Sequence, residues 1–405
     1  MAAIFAAAGG AETLLLERTA DGGRKILISG GGRCNVLPMR LDESRLVTAS
    51  SPNVLRKMIR SWPLAEQVAF FERDLGIALV EEPESSKRFP ASHRARDVRD
   101  GLLAHAASRG VHLLANTLVT DVGASAPGWR VERQGGGPIV ADAVIIATGG
   151  LSVPNTGSDG FGLRLLARMG HEMHATYPAL TPITADDPEL AALSGISLPV
   201  TITARDAARS ATAHGGFLFT HRGYSGPSVL DVSHVIVRSR LESDAAATIT
   251  VRWTTLGDEE WTAALRPQGT RTVTGVLRQH LPERLVAALL AKAGVDATRS
   301  LADLRRDERQ RLIATLTRGE LPWNGDEGYK KAEVTGGGLA LGEVDPRTME
   351  SRRHRGLFIC GEALDAFGPI GGYNFLWAWA TGRAAGIGAA ARRDSSACAA
   401  TADEE

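Results

Sequence analysis

The sequence lacks long apolar segments, has little cysteine and carries no excess of charge of either sign. No run approaches the roughly 20 apolar residues that span a bilayer, and the opening MAAIFAAAGG lacks the basic region that begins a signal peptide. Lysine plus arginine and aspartate plus glutamate both number 46, so no long-range field favours nucleic acid or an anionic surface. Three scattered cysteines fit a reducing compartment. We therefore expect a cytoplasmic protein with no membrane and no nucleic-acid partner.

Glycine is concentrated in two segments near opposite ends of the chain. Residues 356–382, GLFICGEALDAFGPIGGYNFLWAWATG, combine an apolar strand, a Gly-Glu turn, a Gly-Gly-Tyr-Asn loop and the start of a helix. Near the front, KILISGGGRCN runs from Lys25 to Asn35. Glycine lets the backbone approach a ligand closely, and a helix N-terminus attracts anions. The two segments together predict one polyphosphate site built from both ends of the chain.

The first residues read as part of a dinucleotide-binding βαβ unit. MAAIFAAAG predicts an alanine-rich helix that ends at Gly9, and ETLLLER predicts a strand that closes on the acid Glu17. In such units the glycine turn lies about 20 residues before the acid that binds the ribose. A position about 20 residues before Glu17 would lie before Met1, so we expect the first strand and its glycine turn to be absent from this sequence.

A chain of 405 residues is long enough for two or more domains. Short β-rich runs with glycine turns lead into AVIIATGG, which predicts a buried parallel strand, and the same pattern returns in LFICG. We predict an α/β fold with a discontinuous nucleotide-binding domain over 1–155 and 333–392. An inserted domain would span 156–332, β-rich over 175–255 and helical over 256–332. EEPESSKRFP, residues 81–90, reads as a loop, and 393–405 as a disordered tail.

The combination of LLLER, GRKILISGGGRCN, AVIIATGG, TMESR, GLFICGEALD and GGYNFLWAWATG resembles the aminoacetone-oxidase-like FAD flavoproteins, a family that includes bile-acid reductase relatives. The resemblance runs from Met1 to about Gly386. It implies a glutathione-reductase-like FAD domain that carries inserted β-rich and helical parts. The sequence departs from the family at the front, where a strand and a GxGxxG turn normally precede the alanine-rich helix.

The resemblance also implies which residues bind FAD. Glu17 would bind the adenosine ribose, and Val119 would contact the adenine through its backbone. Around the pyrophosphate and flavin it places Arg24, Lys25, Ser29, Gly30, Gly31, Gly32, Arg33, Cys34 and Asn35. Thr148 and Gly149 would pass close to the dinucleotide, and the ribityl chain and isoalloxazine would meet Gly361, Glu362, Asp365, Gly372, Tyr373 and Asn374. Related flavoproteins usually have aspartate at the position of Glu362.

Three features also have simple structural explanations. The C-terminal glycine loop could be ordinary packing, but adjacent glycines are entropically costly, which favours a ligand. Cys34 could be a redox thiol beside the flavin, although most buried cysteines are inert, and we favour the inert alternative. His171 and His174 have a spacing that zinc can use, but no cysteine or acid cluster completes a site, so we expect a structural role and no metal.

The sequence therefore predicts an FAD-dependent oxidoreductase that acts on a small organic substrate, with its acid and base residues unassigned. No second fingerprint marks a nicotinamide domain, so NAD(P)H as a transient donor and oxygen as acceptor both stay open. A second hypothesis is a non-catalytic product of a start site placed too far downstream. A third is a tRNA-modifying flavoprotein, against which the zero net charge argues.

Overall fold

The computed structural model describes residues 1–126, 128–242 and 246–402, with side chains up to residue 392. The tail predicted over 393–405 lies outside the fully described residues. The chain forms two compact units, one made of Met1–Thr176 with Val334–Glu405 and the other of Tyr177–Glu333. The second boundary derived from the sequence, at 332/333, lies one residue from this division, but the first, at 155/156, lies 21 residues before it, and the predicted domain bounds stay predictions.

The first unit alternates helices with short strands. In chain order its elements are α1 (Ala2–Ala8), β1 (Leu14–Leu16), α2 (Arg24–Ile28), β2 (Leu37–Pro38), α3 (Pro52–Ile59), α4 (Leu64–Ala69), β3 (Leu79–Glu82), β4 (Lys87–Pro90), α5 (Ala95–Ser108), β5 (His112–Leu114), β6 (Val119–Ala124), β7 (Trp129–Arg133), β8 (Ile139–Ala141), β9 (Val144–Ile146), α6 (Phe161–Arg168) and β10 (Met173–Ala179), whose end enters the second unit. Short 3-10 helices lie at Ser29–Gly32, Glu43–Arg45, Pro154–Thr156, Leu341–Glu343 and Gly361–Ala363, and a π-helical turn at Phe70–Asp74.

The second unit contains β11 (Ile183–Thr184), α7 (Pro188–Ala191), β12 (Ser197–Arg205), β13 (Ser210–Thr220), β14 (Gly223–Ser225), α8 (Pro227–Glu242), β15 (Thr248–Arg252), α9 (Asp258–Ala264), α10 (Val273–Leu277), α11 (Glu283–Ala293), α12 (Arg306–Arg318), β16 (Gly319–Glu320) and β17 (Gly325–Asp326). The chain then returns to the first unit with β18 (Val334–Leu339), β19 (Leu357–Ile359) and α13 (Tyr373–Ala402).

Two parallel strand pairs define the α/β character of the first unit. β1 pairs with β5, and β9 pairs with β19 in the register Ile146↔Ile359. Their strands are short apolar runs, as expected where helices cover a parallel sheet. The predicted α/β class is confirmed. The first element among the described residues is α1, and the expected absence of a preceding strand and turn stays a prediction.

Helix α1 packs closely on α13 because small residues meet at the contact. An ideal Cβ on Gly386 would lie 2.3 Å from the carbonyl oxygen of Ala2, and one on Gly382 would lie 3.3 Å from the Cβ of Met1. The alanines of α1 and these glycines therefore let the two backbones approach each other. This contact fixes the front of the chain against the helix that follows the C-terminal glycine loop.

The segment EEPESSKRFP is not a loop. It supplies most of an antiparallel hairpin, β3 and β4, to which β2 adds a third strand. Glu81 faces Arg88 and Glu82 faces Lys87 across the ladder, and Phe89 is buried. The prediction failed because opposite charges paired across two strands stabilise a ladder that local composition does not indicate.

The second unit is built on one seven-stranded antiparallel sheet, in the order β16, β15, β12, β13, β14, β11, β17. Helix α8 packs on β12 and β13, and an aromatic cluster of Phe217, Phe219, Tyr224 and Trp253 fills the core. The outermost strands, β16 and β17, come from the segment predicted to be helical. Strands and helices of this unit share one hydrophobic core.

Among the described residues of either unit, no helix has the length and apolar character needed to cross a membrane.

Candidate functional site

The carboxyl ends of β9 and β19 form the edge at which the two glycine-rich segments meet. Because these strands are parallel, the backbone leaves both of them at the same edge of the sheet, which is the edge where open α/β sheets bind ligands. β9 runs into Thr148 and Gly149, and β19 runs into Gly361 and Glu362. Thr148 is exposed, and Gly149 has a φ of +71°.

Lys25 and Glu362 meet at this edge. The Nζ of Lys25 donates to Oε2 of Glu362 at 2.6 Å and to Oγ of Ser152 at 2.5 Å. Both side chains are largely shielded, with exposures of 30% and 16%. Removal from water strengthens such an ion pair. The sequence-predicted residues Lys25 and Glu362 therefore lie together.

Ser152 and Thr335 complete this cluster, although the sequence analysis did not select them. Ser152 Oγ donates to Oε1 of Glu362 at 2.6 Å, and the backbone N–H of Thr335 donates to the same oxygen at 2.9 Å. Thr335 Oγ1 in turn accepts from the N–H groups of Leu151 and Ser152. Glu362 thus ties three separate segments together. The sequence did contain one signal for these two residues, their position beside glycine motifs: Ser152 comes just after ATGG, and Thr335 is the first residue of TGGG.

The C-terminal glycine loop makes close contacts with other residues of this chain. An ideal Cβ on Gly372, whose φ is +91°, would lie 2.4 Å from the carbonyl carbon of Leu37 in β2. Tyr373 donates from its hydroxyl to the carbonyl of Arg40, and Asn374 exchanges two hydrogen bonds with the backbone of Gly368. The close approach that the glycine permits is therefore to β2. These contacts hold the loop in shape at the start of α13.

Three further predicted residues have their charged or thiol groups engaged within the protein. Arg24 donates to Asp21 at 2.9 Å. Arg33 donates to Glu82 at 3.0 Å and stacks over the ring of Phe89. Cys34 is fully buried, and burial raises the pKa of its thiol to about 11, so its reactive thiolate is scarce.

The other predicted residues lie in turns and at a strand start. One carboxylate oxygen of Glu17 accepts from the N–H and hydroxyl of Thr19, just after β1. Ser29 donates its hydroxyl to the carbonyl of Ile26. The backbones of Gly30, Gly31 and Gly32 all have positive φ, Asn35 is half-buried, and Val119 begins β6.

A second polar cluster lies against Asp365, three residues beyond Glu362. Its buried Oδ2 accepts four hydrogen bonds, from the hydroxyl of Thr48, the N–H of Ala49, and both the N–H and hydroxyl of Ser50. The Nε2 of His174 lies 3.1 Å from Ser50 Oγ and 3.6 Å from Asp365 Oδ2. Asp365 thus holds residues 48–50 by hydrogen bonds and lies close to His174.

Residues 1–388 match the family model described as the HI0933-like protein Rossmann domain. This chain belongs to the HI0933-like family. Its members are FAD-dependent oxidoreductases, and the flavoprotein family expected from the motifs is confirmed at that level.

The relatives cover almost the whole chain. The chain is 31% identical to the ribosomal RNA dihydrouridine synthase of Escherichia coli, over 93% of this chain and 92% of the relative. It is 30% identical to the 3-dehydro-bile acid delta(4,6)-reductase of Clostridium scindens, over 97% and 96%. A 3-ketosteroid delta1-dehydrogenase structure from Sterolibacterium denitrificans matches with a TM-score of 0.51 and 13% identity, over 96% of this chain and 97% of that one. That likeness shows the fold alone.

The site of this HI0933-like chain fits the diphosphate of FAD. Ideal Cβ atoms on Gly31 and Gly361, both with positive φ, would have open space around them. Gly361 directly precedes Glu362, which accepts from Lys25, so open backbone and a cation border the same edge, and Gly31 lies in the segment that begins with Lys25. Open backbone beside a shielded cation is the donor set that a diphosphate requires. The predicted FAD contacts of individual residues stay predictions.

Proposed function

We propose that this protein uses FAD to reduce a carbon–carbon double bond conjugated to a carbonyl, and that its leading substrate is a uracil ring in ribosomal RNA. The observation that carries this proposal is the near full-length similarity to a ribosomal RNA dihydrouridine synthase. Dihydrouridine is uridine with its C5–C6 bond reduced, and that bond is conjugated to the C4 carbonyl. The name of the bile-acid relative also describes the reduction of ring double bonds.

When bound, FAD in its reduced form supplies the electron pair, while the protein supplies binding and orientation. Lys25 would donate to a phosphate of the cofactor from the ammonium group that Ser152 and Glu362 hold in place. Gly31 and Gly361 would let the backbone approach the dinucleotide. The side chain of Thr335 keeps the turn after β9 in position by accepting two backbone N–H groups.

A local group of basic residues supports an RNA substrate despite the balanced total charge. Arg40, Arg94 and Arg96 are exposed, Lys87 is half-exposed, and within the described part of the chain none of the four has an ion-pair partner within 4.0 Å. Arg40 follows β2, Lys87 lies in β4 with its side chain near Gly371, and Arg94 and Arg96 lie at the start of α5, a helix that contacts β4. Exposed arginines such as Arg40, Arg94 and Arg96 can bind phosphates of a polynucleotide.

A small conjugated ketone is the second candidate substrate. It is favoured by the 30% identity to the bile-acid reductase, again over nearly the whole chain. It also agrees with the small organic substrate expected from the sequence. The two candidates share one reaction and differ in the surface that binds the substrate.

The test is anaerobic incubation of the FAD-loaded, chemically reduced protein with unmodified ribosomal RNA transcripts. We expect mass spectrometry of the digested nucleosides to detect uridine that has gained two hydrogen atoms. Reduction of a 3-keto-4-ene steroid without any dihydrouridine would favour the second candidate. Failure to reduce either substrate by a protein that holds FAD would refute the proposed reaction.

The basic residues are tested by the salt dependence of RNA binding. Log affinity for RNA falls as log salt concentration rises. The double variant Arg94→Gln, Arg96→Gln should make this fall shallower, by about 1 in slope for each phosphate that the variant no longer binds. Arg252→Gln, an exposed arginine of β15, is the matched control and should leave the slope unchanged. Equal slopes for the double variant and the control would exclude these arginines from the RNA interface.

A further inference from the structure

His171 and His174 are three residues apart but have different surroundings. Both ring nitrogens of buried His171 are engaged: Nδ1 with the carbonyl of Leu166 and Nε2 with the hydroxyl of Ser351. Burial also lowers the pKa of His171, which favours its neutral form. These contacts give His171 the structural role expected from the sequence. His174 keeps 27% of its side chain exposed and has only its Nε2 engaged among the described residues.

The hydrogen bonds around Ser50 determine which nitrogen of His174 carries a proton. A carboxylate is the strongest acceptor present, so the single hydroxyl proton of Ser50 goes to Asp365 Oδ2, at 2.9 Å. The Ser50 oxygen then accepts from the N–H of Leu341 at 3.0 Å and from Nε2–H of His174 at 3.1 Å. This arrangement leaves Nδ1 of His174 as the nitrogen that can take up a proton and deliver it.

His174 lies on the strand pair that adjoins the candidate cofactor site. β10, which carries His174, pairs with β18, whose Thr335 contacts Glu362. Asp365 and Glu362 are three residues apart on the loop that follows β19, a separation of at most about 11 Å along the chain. The His174 cluster and the Lys25 cluster are therefore joined by the same strand and the same loop.

We propose that His174 is the proton donor of the reduction, and that Ser50 and Asp365 position its ring; this inference rests on the proposed reductase function. Reduction of a double bond conjugated to a carbonyl needs a hydride at the β carbon and a proton at the α carbon. The electron pair comes from the reduced flavin, which is oxidised. As the hydride adds, the π electrons move toward the carbonyl, and the α carbon takes the proton from Nδ1–H of the His174 imidazolium.

The histidine is then neutral and regains its proton from water. The carboxylate of Asp365 lies 3.6 Å from Nε2 and accepts from the hydroxyl of Ser50, which holds the ring. Ser50 holds the ring through Nε2, and Nδ1 takes no part in the hydrogen bonds of the Asp365 cluster. A correctly placed general acid contributes on the order of 10²–10⁴-fold to such a step.

The first experiment needs no cofactor. Selective ¹⁵N-histidine labelling reports which ring nitrogen of His174 is protonated, with His174→Gln used to assign its signals. We expect the neutral ring to carry its proton on Nε2 in the wild type, and Ser50→Ala to yield a mixture of the two tautomers. A neutral His174 with its proton on Nδ1, or a tautomer that Ser50→Ala does not change, would overturn the positioning.

The second experiment measures how fast the chemically reduced, FAD-loaded protein is reoxidised by substrate without oxygen. His174→Gln should slow this step by about 10²–10⁴-fold, while FAD affinity stays within about threefold of wild type. Ser50→Ala should slow it less, and His112→Gln, an exposed histidine of β5, should behave as wild type. A rate for His174→Gln within threefold of wild type would overturn the proton-donor role alone. A wild type that reduces neither RNA uracil nor the conjugated ketone would overturn the proposed function and this role with it.

Discussion

The Nζ of Lys25 lies 2.6 Å from Oε2 of Glu362, although 337 residues separate them in the sequence. This ion pair joins the two glycine-rich segments at the carboxyl edge of β9 and β19. We propose that this cation would also bind a phosphate of the cofactor. Its contribution can be measured in several ways.

Lys25→Gln should weaken FAD binding by about tenfold or more, because a hydrogen bond to a charged group contributes about 1.5–3 kcal/mol. The loss should be larger for FAD than for riboflavin, which has no phosphate. Flavin fluorescence titration measures both affinities. Arg252→Gln, at an exposed arginine of β15 with no predicted FAD contact, is the control and should change FAD affinity less than threefold. Equal losses for riboflavin and FAD would contradict a phosphate contact.

Glu362 should act through Lys25. We therefore expect the effects of Glu362→Gln and Lys25→Gln on FAD affinity to be non-additive, with a coupling of about 0.5–3 kcal/mol in a double-mutant cycle. Independent effects would show that Glu362 contributes to binding without Lys25.

Gly372→Ala should destabilise the first unit through a backbone clash. The added methyl would lie 2.4 Å from the carbonyl carbon of Leu37 in addition to the strain of a positive φ. Gly110→Ala is the matched control, because its φ is +81° and an ideal Cβ there meets no atom within 4 Å. Urea unfolding should show a larger loss for Gly372→Ala than for Gly110→Ala. Equal losses would mean that φ strain alone accounts for the effect.

The stability of the second unit should fall as pH drops from 6.5 to 4 because of His234. Burial lowers the pKa of His234 to about 4, while the unfolded chain binds the proton near its ordinary value of 6.5. The proton therefore stabilises the unfolded state first, at a total cost of about 3 kcal/mol across this window. His234→Asn should flatten this part of the pH dependence in urea unfolding, whereas His112→Gln should not. Parallel curves for wild type and His234→Asn would contradict the shift.

Cys34 and Cys360 should resist thiol reagents in the folded protein. Burial raises the pKa of each thiol to about 11, so at pH 8 only about one molecule in a thousand carries the thiolate. A Cys398→Ser variant treated with a chromogenic disulfide should release almost no colour until it is unfolded. Rapid reaction of Cys34 in the native protein would instead support the redox thiol considered from the sequence.

The sequence by itself determined the elements with strong local signals. MAAIFAAA forms α1, LLL forms β1, and the apolar runs before ATGG and in LFICG form β9 and β19, because period and apolar content specify such elements locally. The glycine-rich segments also indicated that Lys25 and Glu362 belong to one site.

Only the tertiary structure decided which side chains meet. Arg33 pairs with Glu82 on a hairpin that the sequence presented as a loop, and Gly372 approaches β2. Ser152 and Thr335 became visible only through their bonds at Glu362, and His174 differs from His171 only through Ser50 and Asp365. Most of these contacts join residues more than a hundred positions apart. They follow from the packing of elements, which short-range sequence patterns do not specify.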